Sequence, residues 1–357
     1  MNLAIHRSSL VEQAVQTLRG ALRDGTWVDR MPGERELSRQ LNISRPTLRA
    51  ALAALESEGW LKVSQGRQRL IVPRDARRTA PKMQTVGLLT PLPLQEVPPF
   101  ALCWMDRLRE LLARAGLQLE IHSGRRWYSR RPEKDLAALT QQAPAGTWLL
   151  FMTNERMQRW FEESKLPAVL SGSCHSGIDL PSVDFDYRAV CRHAAGQFLR
   201  RGHRRIALLM QGAETAGDRE SEAGFLEAFE TGKGATASPV IVHHDGTPEG
   251  IRQRLRSLLG AEAPPTAFLV ARSMPALMVA SELLRMGLRV PRDVAVVARD
   301  SDHFHEFFSP HLARYWADPE VHARRLARII IELSGEGASR SRGVRIMPEF
   351  FPGESLG

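Results

Sequence analysis

Arg45 and Arg49 stand four residues apart in the stretch SRPTLRAALAALESEGWL, residues 44–61, with leucines at 48, 52 and 55. Guanidinium groups at that spacing share one helix face, where they can pair with phosphates or with the edge of a guanine. The leucines fall at i, i+4 and i+7, the stripe by which a helix packs into a core. A helix with one buried side and one cationic side, and with Ser44 and Thr47 at its start, suits the major groove of DNA. Other chemistry is thinner. No nucleophile elbow or phosphate-binding loop occurs, and none of the five lysines (62, 82, 134, 165 and 233) stands in a Ser-x-Lys setting, so no enzyme and no cofactor is expected. Cys103, Cys174 and Cys191 lack metal-knuckle spacing, which fits a reducing compartment. His243 and His244 beside Asp245, together with His303 and His305, are the residues a metal would use, and they keep a metal- or partner-responsive regulator as the alternative.

The cationic helix needs a small domain to hold it. Upstream, Val11, Val15, Leu18 and Leu22 predict a helix over about 9–23. Pro32-Gly33 followed by Glu34 and Glu36 opens a short second helix carrying Leu37 and Leu41, and Asn42-Ile43 forms the turn into the third. Ser44 is the expected cap, with Pro46 in the first turn. After Glu58-Gly59, WLKVSQGRQRLIV reads as two short strands around Gln65, Gly66 and Arg67, a hairpin wing with a basic tip. Charge agrees with this placing: residues 1–84 hold fifteen Lys/Arg against eight Asp/Glu, which is +7 of the chain's net +9. A polyanion partner, double-stranded DNA, is the expectation for residues 1–72.

A Pro- and Arg-rich stretch over 73–84 reads as a linker, and 85–357 as a second domain. Apolar runs recur there as TVGLLT, LQLEIH, TWLLFM, PAVLSG, RIALLM, PVIVHH, TAFLVA and VAVVAR, with amphipathic helical segments between them. Short apolar strands alternating with helices predict doubly wound α/β lobes with parallel sheets, and about 270 residues hold two. In a two-lobed body of that class the ligand sits beyond the carboxyl ends of the strands, between the lobes. No run approaches the length of a membrane span, and no signal-peptide core opens the chain, so a cytoplasmic protein without a membrane partner is expected.

The segment PGERELSRQLNISRPTLRAALAALESEGWLKVSQGR closely resembles the winged helix-turn-helix domain of the GntR family of bacterial transcription regulators. That resemblance assigns DNA contacts to Arg35, Arg45, Thr47 and Arg49 and lets the wing approach DNA at Gly66. It departs at Gln68-Arg69, where the family continues Gly-Thr, and at Ala50 in place of a common Glu. Residues 84–352 resemble the periplasmic-binding-protein-like sensor of LacI/GalR-type repressors, in LPSVDFDYRAVCRHAAGQFLRRGHRRIALL, in PPTAFLVARSMPALMVASELLRMGLRVPRDVAVVARDSD and in SPHLARYWADPEVHARRLARIIIELSGE. A GntR-type head on such a body resembles the arrangement of arabinose-type repressors. It implies a homodimer on a pseudo-palindromic operator, acting as a repressor whose small-molecule effector is sugar-like.

By the second resemblance Asp186 falls on the acid that often binds a sugar hydroxyl, and Asp300 on the acid after the VAVVA strand. Arg272-Ser273 replaces an expected Asn-Asp pair, and Ser221 stands where an arginine is usual, with Arg219 two residues earlier. Arg272 in the cleft would favour a carboxylate or phosphate unless it pairs internally with Asp300 or Asp302. Phe100, Trp104, Trp127 and Trp316 are the aromatic candidates for stacking on a ligand. The ligand set expected is therefore Asp186, Arg219, Arg272, Asp300 and Trp316.

Overall fold

A computed structural model describes residues 10–23, 26–27, 31–58, 60–63, 69–71, 84–212, 215–230, 236–335 and 343–357. The chain divides into two compact units, 1–83 and 84–357. The wing tip at Gln65, Gly66 and Arg67 and the linker stretch up to residue 83 lie outside the described residues.

The first unit holds α1 (Leu10–Arg23), α2 (Glu34–Gln40), α3 (Arg45–Ser57) and the antiparallel pair β1 (Leu61–Val63) and β2 (Arg69–Ile71). Leu48, Leu52 and Leu55 are buried on α3 and meet Leu18, Leu22 and Leu37 from α1 and α2, as their helical spacing demands. Asn42 adopts a left-handed φ of 51° in the turn between α2 and α3, a conformation asparagine tolerates better than most residues. Ser38 Oγ donates to Ile43 O at 2.6 Å and locks that turn.

The second unit is two α/β lobes. Lobe one runs β3 (Gln84–Thr90), α4 (Pro99–Arg114), β4 (Leu117–Ser123), α5 (Glu133–Gln142), β5 (Thr147–Phe151), α6 (Glu155–Ser164), β6 (Ala168–Ser171) and β7 (Ser182–Phe185). Lobe two follows with α7 (Tyr187–Arg200), β8 (Arg205–Gln211), α8 (Ala216–Glu227), β9 (Ser238–His244), α9 (Pro248–Leu259), β10 (Ala267–Val270), α10 (Ser273–Arg285), β11 (Ala295–Ala298) and β12 (Ala313–Trp316). Then α11 (Pro319–Ser334) returns to pack on α4, β13 (Val344–Ile346) joins lobe one and β14 (Glu349–Phe351) joins lobe two. The chain thus passes between lobes three times, at 185–187, 316–319 and 346–349.

The sheet orders are β13-β7-β6-β5-β3-β4 and β14-β12-β11-β10-β8-β9, parallel throughout except for β12 against β14. Each sheet reverses its winding beside its first strand, and such switch points open a crevice at the carboxyl ends. The eight apolar runs all form strands; six lie inside the sheets and bury nearly every residue, while β4 and β9 are edge strands and only half-buried. Four strands were not expected: β7, β12, β13 and β14 are three or four residues long and carry charged residues. Helices α7 and α8 approach so closely that a Cβ on Gly224 would lie 2.0 Å from the Arg188 carbonyl oxygen. Gly224→Ala should lower the melting temperature of the full chain by roughly 4–10 °C, since forced overpacking costs about 1–3 kcal/mol. An unchanged melt would show that the helices part freely.

Candidate ligand cleft and nucleic-acid face

On the first unit, Ser44 caps α3. Its Oγ accepts from Thr47 N at 3.3 Å and lies 2.7 Å from Thr47 Oγ1, so both hydroxyls help to start the helix. Arg35 and Arg45 are exposed and have no hydrogen-bond partner among the described residues. Arg49 is 61% exposed, yet its Nε donates to Glu34 Oε2 at 2.8 Å. Glu34 also takes Arg69 Nη1 at 2.9 Å, while Arg69 Nε reaches Glu56. Hydrogen bonds from Arg49 and Arg69 hold the Glu34 carboxyl below its ordinary range. Arg69 is one of the two residues where the sequence departs from Gly-Thr, and the structure makes it a tie between the wing strand and helices α2 and α3. One face of α3 therefore presents free and loosely held cations.

In the second unit a cavity of about 800 Å³, its open mouth included, lies between the lobes at the carboxyl ends of the strands. Lobe one contributes Phe100, Ala101 and Trp104 from α4, Phe151, Ser171 and Asp184 from strand ends, and His322 from α11. Lobe two contributes Tyr187, Tyr315, Arg272-Ser273 after β10, and Arg299 to Asp302 after β11. Phe185, Ala317 and Pro348 come from the three crossings. Past Arg272 the space continues along Met152, Thr153, Thr215 and Asp218. Met152 and Arg272 have φ of 57° and 72°, a left-handed geometry that costs of order 1–3 kcal/mol outside glycine and collects at ligand sites.

Arg299 organises the floor. Its side chain is 1% exposed, and it donates to Asp300 Oδ2 through Nε at 3.1 Å and Nη2 at 2.9 Å. Its Nη1 donates to Ser221 Oγ at 2.8 Å, lies 3.5 Å from Asp218 Oδ1, and the guanidinium carbon sits 4.2 Å from the Tyr187 ring centroid. The cleft wall that lacks an arginine at 221 thus receives a guanidinium from the neighbouring strand end. Burial pushes the Asp300 carboxyl up, but Arg299 and Arg272 outweigh it and hold it below the ordinary carboxylate value. Arg272 donates its backbone N to Asp300 Oδ2 at 2.8 Å, while its one-third-exposed guanidinium has only Asp218 Oδ2, at 3.5 Å.

The lobes meet through Asp302. Its Oδ1 accepts from Phe100 N at 2.7 Å, so a lobe-two carboxylate caps lobe-one helix α4, whose own cap position is Pro98. Its Oδ2 accepts from Ser273 Oγ. His322 packs among Phe100, Trp104 and Phe185, with Nε2 at 2.9 Å from Ser171 Oγ and Nδ1 without a partner. Burial lowers its pKa to about 3, so the ring is neutral.

Of the expected ligand set, Arg272 and Asp300 line the cavity. Asp186 does not: the chain leaves the sheet at Phe185, and Asp186 Oδ1 accepts from Ala189 N at 3.0 Å as the cap of α7. Arg219 is exposed on α8, outside the cavity lining, its charge acting on Glu155 and His175 of lobe one. Trp316 is 38% exposed and meets Phe351 edge-on instead. Phe100 and Trp104 face the cavity, whereas Trp127 is buried in lobe one with Arg126 over its ring. Sequence reasoning missed Asp184, Arg299 and His322. A charge inside or at the end of an apolar run was the available signal for the first two. Three of the four histidines considered for metal have other partners: His243 Nε2 is 2.6 Å from Glu222 Oε1, His244 accepts from Gly246 N, and His305 closes a capping box with Asp302. Among the described residues no group of three or more His, Cys, Asp or Glu side chains is arranged to hold a metal.

Comparison with known proteins agrees with this geometry. Residues 10–70 match the model of bacterial regulatory proteins of the gntR family, and residues 195–356 match that of the periplasmic binding protein-like domain. The arabinose metabolism transcriptional repressor of Geobacillus stearothermophilus is 26% identical over 289 residues, covering 77% of each chain. The HTH-type transcriptional repressor CytR of Escherichia coli is 25% identical over 51% of this chain and 53% of that one. A putative LacI transcriptional regulator from Bacillus cereus subsp. cytotoxis superposes with a TM-score of 0.69 at 23% identity, over 76% of this chain and 98% of that one. The chain is thus no enzyme but a ligand-responsive, DNA-binding transcription regulator, with a gntR-family head followed by a periplasmic binding protein-like sensor domain.

Proposed function

We propose that the chain is a cytoplasmic repressor that binds a pseudo-palindromic operator as a homodimer and senses a small hydroxylated molecule, neutral or cationic, in the cleft between its lobes. The carrying observation is the cavity itself. It is walled by aromatic rings and lined by four carboxylates, Asp184, Asp218, Asp300 and Asp302, against two guanidiniums, Arg272 and Arg299. A cleft with an excess of carboxylates repels an anion, so Arg272 sets the local charge balance and does not capture a phosphate. The likeness to an arabinose-metabolism repressor supports a carbohydrate-type effector. Arg35, Arg45 and Arg49 contact DNA, Ser44 and Thr47 fix the start of the reading helix, and the wing at Gln65, Gly66 and Arg67 lies against the backbone.

The effector favours one lobe closure and the operator favours one spacing of heads, so the two binding events are linked by a coupling energy of typically ~1–3 kcal/mol. No helix among the described residues is long and apolar enough to cross a membrane. Two measurements test the proposal. Selection from random double-stranded DNA with the full chain should return an inverted repeat, and sedimentation should show a dimer. A thermal-shift panel of neutral sugars, amino sugars, sugar acids and sugar phosphates should give its hits among the first two, since a ligand at 100 times its Kd adds about 2.7 kcal/mol. Hits confined to the anions would overturn the reading of the cleft.

A further inference from the structure

Within that reading of the cleft, its carboxylates are not equivalent. Asp218 and Asp300 are paired with Arg272 and Arg299, and Asp302 is held by the Phe100 amide and the Ser273 hydroxyl. Asp184 is 8% exposed and lines the cavity on both sides of Arg272. Its Oδ2 accepts from Ser173 Oγ at 2.7 Å and its Oδ1 from the amide of its neighbour Phe185 at 2.8 Å. No cation stands within ion-pair distance of it among the described residues. A buried carboxylate that no cation touches, and that only the more distant Arg299 compensates, is unfavourable unless something brings a charge closer. Accordingly burial raises its pKa to about 6, the bonds from Ser173 and Phe185 and the charge of Arg299 offsetting only part of that.

The surroundings favour a positive partner. Phe185 and Tyr187 follow Asp184 in sequence and stand edge to face with centroids 5.9 Å apart, and Phe100 meets Phe185 at 5.5 Å. Aromatic faces attract an ammonium; Arg299 already lies over Tyr187, which leaves Phe100 and Phe185 for a ligand. Room is kept by Gly217 in the first turn of α8, where a Cβ would lie 3.2 Å from Asp184 Oδ2 and 3.0 Å from the Tyr187 ring. A neutral hydroxyl can hydrogen-bond to Asp184, but it leaves the enclosed negative charge with no more compensation than the distant Arg299 gives. A protonated amine supplies both the hydrogen bonds and the charge.

We propose that Asp184 is the specificity-determining residue of the cleft and that it selects a protonated amine carried by the effector. The amine can sit on a sugar ring or on a linear polyamine, and matched probes separate these sources. The full chain is titrated calorimetrically with D-glucosamine, D-glucose and N-acetyl-D-glucosamine, with the same galactose series, and with putrescine. The expected result is that an amine binds at least tenfold more tightly than its hydroxyl and N-acetyl counterparts, and that Asp184→Asn removes the difference. Asn keeps both hydrogen bonds by accepting from the Phe185 amide and donating to Ser173 Oγ, and Asp184→Ser is a second variant should Asn perturb the strand. Amino sugars binding without putrescine place the amine on a ring; the reverse places it on a polyamine. Equal or tighter binding of the neutral partners, silence of every amine, or a preference that survives both substitutions overturns the proposal. In the first case the sugar-sensing reading stands, whereas silence of all probes would bring down both.

Discussion

Arg299→Met should destabilise the sensor unit by about 3–5 kcal/mol, the range found when one partner of a buried ion pair is removed. Methionine replaces the aliphatic stem but neither the charge nor the guanidinium over Tyr187, so Asp300 keeps the Arg272 amide, and Asp218 keeps the Thr215 hydroxyl and the more exposed Arg272 guanidinium. Arg299→Lys should fall between the two, because a single ammonium cannot bridge Asp300 and Ser221 as the guanidinium fork does. Adding Asp300→Asn to Arg299→Met should return part of the loss by removing one stranded charge. The pH dependence has a definite sign. Asp300 is held below its ordinary value in the folded protein, so its share of stability is present above the unfolded carboxylate pKa, about 3.9, and is lost as pH falls through the folded value. The gap between wild type and Arg299→Met should therefore be full at pH 7 and shrink below about pH 4. Urea denaturation of the full chain at both pH values measures it, and a gap under 1 kcal/mol at pH 7 would show that water solvates the floor of the cleft.

The same floor shows where sequence patterns stop. Apolar runs marked eight strands, six of them because inner parallel strands covered on both faces leave no polar alternation to blur them, and the edge strands β4 and β9 by their remaining apolar residues. β7, SVDF, was missed because Ser182 and Asp184 interrupt it, and the polar residue that hid the strand is also the one it delivers to the cavity. Family resemblance pointed two residues further, to Asp186. There the backbone has already turned out of the sheet, and the carboxylate is used to start α7. Arg299 was visible as a charge closing VAVVAR, but its partner Ser221 is 78 residues away, and only the packing of α8 against the ends of β8 to β11 brings them together. Arg272 was expected in the cleft, either on a ligand or paired with Asp300 or Asp302; it lines the cavity with its guanidinium 3.5 Å from Asp218, a neighbour fifty-four residues earlier that one sequence does not reveal.

In the head the helix, its cap and its buried stripe were all legible, because local capping chemistry and a period of 3.6 residues determine them. The pairing of Arg49 was not, since Glu34 lies fifteen residues earlier on another helix. That pairing ranks the expected effects on operator binding. Arg45 is exposed and unengaged, so Arg45→Ala should cost about 1–3 kcal/mol, a five- to 150-fold loss. Arg49 must first leave Glu34, so Arg49→Ala should cost less, and Glu34→Gln should tighten binding by freeing Arg49 and removing a negative charge from the DNA-facing side. Arg69 still holds Glu56 after that change, which keeps the wing strand tied to α3. The double variant Arg45→Ala/Arg49→Ala should lose about 2–5 kcal/mol and lower the salt dependence of log K by roughly two phosphate contacts if both arginines meet the backbone. Neither position is in the core, so the melting temperature should not move. Fluorescence anisotropy on the selected operator at two salt concentrations measures all four variants. A double variant that binds as tightly as wild type would remove α3 from the groove.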